Sequence, residues 1–149
     1  MEKQSFMDAA LAQARTAGEA GEVPVGAVIV REGAVIAQAG NRTLLYRDPT
    51  AHAEMIAIRQ ATRLLANERL IDCDLYVTLE PCTMCAAAIS LARIRRLYYA
   101  APDPKAGAVE HGVHFFSEPS CLHRPEFYGG IAEGEAAALL QSFFRARRP

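Results

Sequence analysis

The chain has 149 residues, a length typical of one domain that buries enough apolar surface to fold without disulfides. Hydrophobic residues make up 51% and charged residues 22%, which excludes a disordered or fibrous chain. The net charge of −1 excludes a polycation, so binding to nucleic acid would need a local basic patch. We therefore expect residues 1–149 to form a single domain.

The ends and the apolar runs of the chain predict a cytoplasmic protein with no membrane partner. No apolar run reaches the roughly 18 residues of a membrane-spanning helix. Residues 1–5 lack the basic and apolar regions of a secretory signal, and the last residues carry no lipidation motif. In a reducing compartment cysteines are expected to be thiols or metal ligands rather than disulfides. The four cysteines are Cys73, Cys82, Cys85 and Cys121.

The first forty residues predict a helix followed by a β-hairpin. The pattern Ser5-x-x-Asp8 resembles a capping box, and apolar residues recur after it at helical spacing until two glycines end the run. The β-branched runs over 25–30 and 35–39 flank a glycine-containing turn, which is typical of a hairpin. Gly26 in the first run indicates a close backbone approach or a bulge.

The middle of the chain predicts a loop, a helix, a strand and another helix. Residues 41–49 are polar, and the helix after them is expected to have Asp48 or Thr50 as its cap. Apolar and polar residues alternate over 74–79, which predicts a strand. Pro81 is expected to begin the next helix, where its missing N–H has no energetic cost.

The last third predicts two strands and a final helix around a segment with no clear period. The strand over 97–101 should run parallel to that over 74–79, because a helix joins them. Residues 127–128 are interpreted as a short strand, a helix starts near Ile131, and 113–125 cannot be assigned. The five strands and the helices between them predict an α/β protein, a three-layer α/β/α sandwich with a mixed five-stranded sheet.

Two short motifs carry the chemistry. His52 and Glu54 form one, and Cys82 and Cys85 after Pro81 form the other. Either motif alone is common, but together they match the H-x-E…P-C-x-x-C pattern of zinc nucleobase deaminases. Three protein ligands leave the fourth tetrahedral place to water, as in catalytic zinc sites. We therefore predict one zinc ion per chain, bound by His52, Cys82 and Cys85, with Glu54 as the catalytic acid and base.

Helix geometry constrains how these motifs meet. Side chains two positions apart, as in His52 and Glu54, point about 200° apart on a regular helix, so they share a site only over its N-terminal end. Both motifs follow helix-start signals, which predicts two helix N-termini that face one metal. The positive ends of the two helix dipoles would favour thiolates. Glu54 is expected to take a proton from the attacking water and pass it to a ring nitrogen and then to the leaving amine.

Three other interpretations explain parts of the pattern. A structural zinc site would need a fourth ligand. A redox Cys-x-x-Cys pair would leave the His-x-Glu motif unexplained. A zinc-stabilised binding module would have no catalytic activity. The candidates for a fourth ligand are Cys73, Cys121, His111, His114 and His123, of which the two cysteines are expected to be ordinary buried thiols.

Motifs along nearly the whole chain resemble those of the bacterial tRNA-specific adenosine deaminase family, within the cytidine and deoxycytidylate deaminase superfamily. The resemblance implies a cytidine deaminase-like fold and a homodimer. It also implies deamination of the wobble adenosine of a tRNA anticodon to inosine. The matching stretches are Val23-Pro-Val-Gly-Ala-Val28, Asn41-Arg42, Asp48-Pro-Thr-Ala-His-Ala-Glu54, Leu75-Tyr-Val-Thr-Leu-Glu-Pro-Cys-Thr-Met-Cys85 and the arginine-rich end from Phe143 to Arg148.

The resemblance also implies substrate contacts. It assigns zinc to His52, Cys82 and Cys85 and the proton transfer to Glu54. The positions that match substrate or RNA contacts of the family are Asn41, Asp103, Lys105, His123 and Arg124. The chain departs from the family at Leu122, where some members have Asn, and at the prolines on either side of Asp103.

The last helix offers further RNA contacts, and the substrate has a competing interpretation. Of the 16 basic residues 14 are arginine, whose planar guanidinium suits phosphates and bases. Phe144 and Arg145 are predicted to contact the tRNA anticodon arm, although cations near a helix C-terminus also stabilise the helix alone. A small-molecule deaminase of the same fold, acting on guanine, cytosine or a pyrimidine nucleotide, would share the metal motif.

Overall fold

The computed structural model describes residues 2–147, which form a five-stranded sheet with helices on both faces. Arg148, the last residue of the arginine-rich stretch that begins at Phe143, lies outside the described residues. Among residues 2–147 no helix combines the length and the apolarity needed to cross a membrane. The elements are α1 (Glu2–Glu19), β1 (Gly26–Arg31), β2 (Ala34–Gly40), α2 (Ala53–Leu65), β3 (Cys73–Leu79), α3 (Thr83–Leu91), β4 (Arg96–Ala101), a 3₁₀ turn (Phe115–Ser117), β5 (Glu126–Gly129) and α4 (Glu133–Ala146).

The sheet is mixed, as the sequence predicts, with strand order β2-β1-β3-β4-β5. β1 is antiparallel to β2 and β3, whereas β4 is parallel to β3 and β5 is parallel to β4. Leu79 and Ala101 pair at the carboxyl ends of β3 and β4. The segments that follow these two strands therefore begin side by side at one edge of the sheet, which is where the metal motif lies.

Alternating side chains divide the core between the two faces of the sheet. One cluster includes Val28, Tyr76 and Tyr98 and packs against α1 and the start of α4. The other includes Ile29 and Leu75 and packs against α2 and α3. The predicted three-layer α/β/α sandwich is therefore confirmed.

The hairpin and its glycines behave as the sequence indicates. Glu32 and Gly33 have φ of 51° and 77°, which is the left-handed turn that matches the twist of paired strands. Gly26 lies against α1, where an added Cβ would overlap the carbonyl oxygen of Ala10. The close approach predicted at this glycine is confirmed, and it lets α1 pack directly on β1.

The predicted helix starts are wrong by several residues. Ser5 and Asp8 lie inside α1, where the Asp8 carboxylate accepts from the Gln4 amide at 2.8 Å instead of capping the helix. Asp48 closes a turn by accepting from the backbone N–H of Thr50 at 2.8 Å, while α2 begins only at Ala53. Local capping patterns failed because polar side chains in these segments form turns and i,i+4 contacts.

Pro81 precedes α3 rather than beginning it, because the cap of that helix is Cys82. The segment 113–125 that lacks a clear period contains the 3₁₀ turn and is anchored by two buried side chains, Phe116 and Cys121. Single anchors of this kind produce no periodic pattern. The short strand predicted at 127–128 is confirmed as the middle of β5.

Candidate metal centre and active site

The predicted ligands occupy the ends of two helices. His52 and Cys82 are the N-cap residues of α2 and α3, and Cys85 lies in the first turn of α3. Both cap residues have extended backbone, and neither side chain makes a capping hydrogen bond. Their side chains turn toward each other instead, so two helix N-termini face one point as the sequence predicts.

The distances between the ligand atoms fit a tetrahedral metal site. Nδ1 of His52 lies 3.7 Å from Sγ of Cys82 and 3.5 Å from Sγ of Cys85. The three ligand atoms lie within 4.8 Å of one another. With zinc–sulfur and zinc–nitrogen bonds of about 2.3 and 2.0 Å, tetrahedral geometry separates nitrogen from sulfur by about 3.5 Å. The donor set therefore fits zinc in both chemistry and spacing.

The electrostatics of the cysteine pair are also suited to a bound cation. The pKa of Cys82 falls to about 4, mainly because the Cys85 thiol donates a hydrogen bond to its sulfur and His52 adds a second. The pKa of Cys85 is raised, because its proton is held by Cys82 and because the side chain is buried. By themselves the two sulfurs share one proton, and only a bound cation allows both to be thiolates.

Among residues 2–147, no fourth histidine, cysteine or carboxylate joins this cluster. Three of the candidates have other partners. His111 contacts Glu80, and His123 contacts the carbonyl oxygen of Ile94, both at 2.7 Å. Cys121 lies 3.4 Å from the Ser90 hydroxyl. Three ligands are typical of catalytic zinc, whereas structural zinc sites are closed by four.

Glu54 lies in the first turn of α2 next to the ligands. It is buried, and its carboxyl group hydrogen-bonds Cys85. Burial raises the pKa of Glu54 to about 7, because the apolar surroundings disfavour the charged form. The predicted proton carrier is therefore within reach of the metal site and shielded from bulk water.

A cavity of about 670 Å³ opens in front of the ligands. Its size is that of a small-molecule site. Four of the predicted substrate residues line it together with His52, Glu54 and Cys82. They are Asn41, Asp103, Lys105 and Phe144. The apolar walls come from Val23, Val25, Leu79 and Leu140, which the sequence analysis did not assign to the site.

Asn41 has a structural task in addition to its place in the cavity. Its side-chain oxygen accepts a hydrogen bond from the backbone N–H of Ala53 at 2.8 Å. The first N–H groups of a helix have no partner within it, and the side chain of the cap residue His52 accepts from none of them. Asn41 therefore satisfies one of these donors in its place. The amide nitrogen of Asn41 is then the group that can face a substrate.

The other three predicted RNA contacts lie outside the cavity lining. His123 binds the Ile94 carbonyl, and Arg124 donates to the Phe116 carbonyl at 2.6 Å. The bond from His123 attaches segment 113–125 to the rest of the molecule, and the bond from Arg124 lies within the segment. Arg145 is exposed near the end of α4. Contact of these three residues with RNA stays a prediction.

Sequence reasoning missed two buried carboxylates, of which Glu80 lines the cavity. Glu22 accepts from the backbone N–H groups of Leu44 and Leu45 at 3.1 and 2.9 Å. Burial pushes the pKa of Glu80 upward, but hydrogen bonds from the backbone of Asp103 and Glu110 and from His111 outweigh this effect and lower that pKa. The only sequence signal for Glu80 was its position directly after a buried strand, and Glu22 had none.

The fold and the site together define a class. A mixed sheet with a histidine and two cysteines at facing helix ends, and a buried glutamate beside them, is the arrangement of zinc-dependent nucleobase deaminases. The family model for the cytidine and deoxycytidylate deaminase zinc-binding region matches residues 1–101. The chain belongs to this family and carries its zinc site.

Within the family the most informative relatives act on tRNA. The chain is 62% identical over 147 residues to the tRNA-specific adenosine deaminase of Agrobacterium fabrum, an alignment that covers 99% of this chain and 97% of that protein. A solved structure from a study of A-to-I editing by tRNA:A34 deaminases superposes with a TM-score of 0.90 at 63% identity, covering 91% of this chain and 99% of the other. The predicted resemblance is confirmed.

A more distant neighbour has a different substrate. The guanine deaminase of Bacillus subtilis is 35% identical to this chain, with a TM-score of 0.66 and coverage of 97% of this chain and 96% of its own. The shared fold therefore occurs with both a nucleic acid and a free base as substrate.

Proposed function

We propose that this protein hydrolyses adenosine to inosine at the wobble position of a tRNA anticodon, and that residues 1–149 act as one deaminase domain. The observation that carries the proposal is the 62% identity, over 99% of the chain, to a tRNA-specific adenosine deaminase. The alternative is a deaminase that acts on a free base, and the observation in its favour is the 35% identity to a guanine deaminase.

Four side chains of the chain have separate roles in the proposed reaction. His52, Cys82 and Cys85 hold zinc, which when bound supplies an activated water as the nucleophile. The carboxylate of Glu54 would take a proton from the attacking water and deliver it to a ring nitrogen of adenine. Glu54 would next take the second proton, from the hydroxyl group added at C6, and deliver it to the leaving amine, so that water is consumed, ammonia leaves and a carbonyl remains.

Asn41 and the cavity mouth would select the substrate. The side-chain oxygen of Asn41 is occupied by Ala53, so Asn41 would donate from its amide nitrogen to an acceptor atom of the nucleoside. Lys105 is exposed and would meet a phosphate. Phe144 is half exposed at the mouth, where its ring can stack on a neighbouring base. His123, Arg124 and Arg145 would contact RNA beyond the cavity.

We also propose a homodimer that works in the cytoplasm, where its tRNA substrate is made. Ala86 is buried in the core and Ala88 packs against that core, whereas on the outward side of α3 Ala87 is half-buried and Leu91 is 74% exposed. This small-residue, apolar side permits close approach of a second copy. Sedimentation should give twice the mass of the chain, and a purely monomeric species at micromolar concentration would contradict the dimer.

The substrate is tested by direct comparison of RNA with free bases. Purified zinc-loaded protein is incubated with an anticodon stem-loop that has adenosine at the wobble position, and ammonia and inosine are measured. The control is the same stem-loop with guanosine at that position, next to free guanine and cytosine. We expect inosine only from the adenosine stem-loop. Turnover of a free base with none on the stem-loop would overturn the proposal, and a lack of any turnover would favour a binding module.

A further inference from the structure

Glu80 is a buried acidic residue whose place the metal chemistry does not explain. Its side chain is 0% exposed. Its backbone N–H donates to the carbonyl oxygen of Ala101 at 2.9 Å and so extends the pairing of β3 with β4 by one residue. The carboxylate is therefore held at the sheet edge where the loop after β4, residues 102–111, begins.

Both carboxylate oxygens are occupied by that one loop. Oε1 accepts from the backbone N–H of Asp103 at 3.0 Å and lies 2.7 Å from Nδ1 of His111. Oε2 accepts from the backbone N–H groups of Val109, Glu110 and His111 at 3.1, 2.9 and 3.2 Å. The five contacts come from the two ends of the loop, so one anion draws its ends together.

Gly107 shows how tightly the loop surrounds this carboxylate. Its N–H donates to the carbonyl oxygen of Asp103 at 2.8 Å. A Cβ added at Gly107 would lie 2.5 Å from both that carbonyl oxygen and Cδ of Glu80. Any side chain at this position would therefore force the loop away from Glu80.

The part of the loop between these contacts forms one side of the cavity mouth. Pro102, Asp103, Lys105 and Ala106 line the cavity. The Asp103 carboxylate accepts from the backbone N–H groups of Lys105 and Ala106 at 3.1 and 3.0 Å, which makes this part a compact turn. The turn has its own internal bonds, so its position relative to the metal site depends on what holds its base. Two anchors do so: Glu80, and the hydrogen bond from the backbone N–H of Ala108 to the carbonyl oxygen of Pro81 at 2.9 Å.

We propose that Glu80 is a positioning residue that holds loop 102–111 against the sheet and so sets where Asp103 and Lys105 meet the RNA. The RNA part of this inference rests on the proposed function. The ordering of the loop does not, because it follows from contacts within the chain.

Glu80→Gln tests the proposal, because it keeps the shape of the side chain but replaces one accepting oxygen with an NH₂ group. Hydrogen exchange by mass spectrometry should show the amides in loop 102–111 exchanging at least about tenfold faster, as expected for loss of bonds to a charged acceptor. We expect the KM for the anticodon stem-loop to rise about tenfold while kcat changes little, the pattern of lost substrate positioning. Zinc content should remain one per chain.

The matched control removes a carboxylate from the other end of the same strand. Asp74 is buried and pairs with Arg95 through two contacts of 2.9 Å, away from the cavity lining. Asp74→Asn should lower stability without changing exchange in loop 102–111 or the KM. Gly107→Ala disturbs the same contact from the loop side and leaves β3 intact, so the test stands even if Glu80→Gln does not fold.

Faster exchange confined to the loop, with a raised KM in both Glu80→Gln and Gly107→Ala, supports the proposal. The proposal would be overturned if either variant folds and has the same hydrogen exchange rates in the loop and the same KM as the parent protein. Faster exchange spread evenly over the sheet with loss of zinc would also overturn it, because that would mark a general structural role. If the parent protein makes no inosine, the proposed function fails. The positioning role is then decided by hydrogen exchange alone: faster exchange confined to loop 102–111 supports it, and unchanged exchange contradicts it.

Discussion

Two buried glutamates border the same cavity, and their surroundings give them opposite properties. Glu54 lies among apolar groups and the ligands, and burial raises its pKa to about 7. Glu80 is equally shielded, but backbone N–H groups and His111 surround it and lower its pKa. Burial alone therefore does not determine what a carboxylate does. A side chain with few donors can exchange a proton, whereas one with many donors stays an anion and organises the backbone around it.

The same contrast separates the floor of the cavity from its rim. The floor consists of His52, Glu54, Cys82 and Cys85, which lie at the ends of two helices packed on the sheet. The rim is loop 102–111, which carries Asp103 and Lys105 but has no regular structure. We expect changes in the floor to remove metal or turnover, and changes in the rim to weaken substrate binding.

The largest effect is expected from Cys85→Ala in the floor. Zinc content should fall to near zero and turnover should be lost, because metal binding needs both thiolates. Zinc at 100 times its Kd stabilises the folded state by about 2.7 kcal/mol. Its loss should therefore lower the Tm of a chain of this size by about 5 to 10 °C. Cys121→Ala is the matched control, since Cys121 is also buried but not a ligand. Full zinc occupancy in Cys85→Ala would contradict the ligand assignment.

Glu54→Gln should have the next largest effect and should separate turnover from metal binding. The substitution keeps the shape of the side chain but removes its ability to carry the proton. We expect kcat to fall by about 10² to 10⁴-fold, the usual contribution of general acid and base catalysis. Metal analysis should still give one zinc per chain. Unchanged inosine formation would remove Glu54 from the mechanism.

Lys105→Ala in the rim should have the smallest effect. The chain has two lysines, and Lys3 lies away from the cavity near the rings of Tyr98 and Tyr128, so Lys3→Ala is the natural control. We expect Lys105→Ala to raise the KM for the stem-loop a few-fold, leave kcat unchanged and reduce the salt dependence of binding by about one phosphate contact. Equal salt slopes for the two variants would show that Lys105 meets no phosphate.

Local sequence patterns predicted the strands and the metal ligands but not the helix starts. The alternation over 74–79 and the spacing of Cys82 and Cys85 are properties of a few neighbouring residues. The start of α2 is different, because its open N–H group at Ala53 is satisfied by Asn41, twelve residues earlier. No nearby pattern records that contact, and the nearer candidates Asp48 and Thr50 satisfy each other instead.

The sequence by itself determined that a histidine, two cysteines and a glutamate would meet at helix ends on a mixed sheet, because periodicity and ligand chemistry are local properties. Only the tertiary structure revealed what holds the cavity mouth. The donors to Glu80 lie 23 to 31 residues further along the chain, and they reach it because β3 and β4 end at the same edge of the sheet. A buried charge is stable only where hydrogen-bond donors surround it. Donors so far away along the chain are brought to Glu80 only when the chain folds.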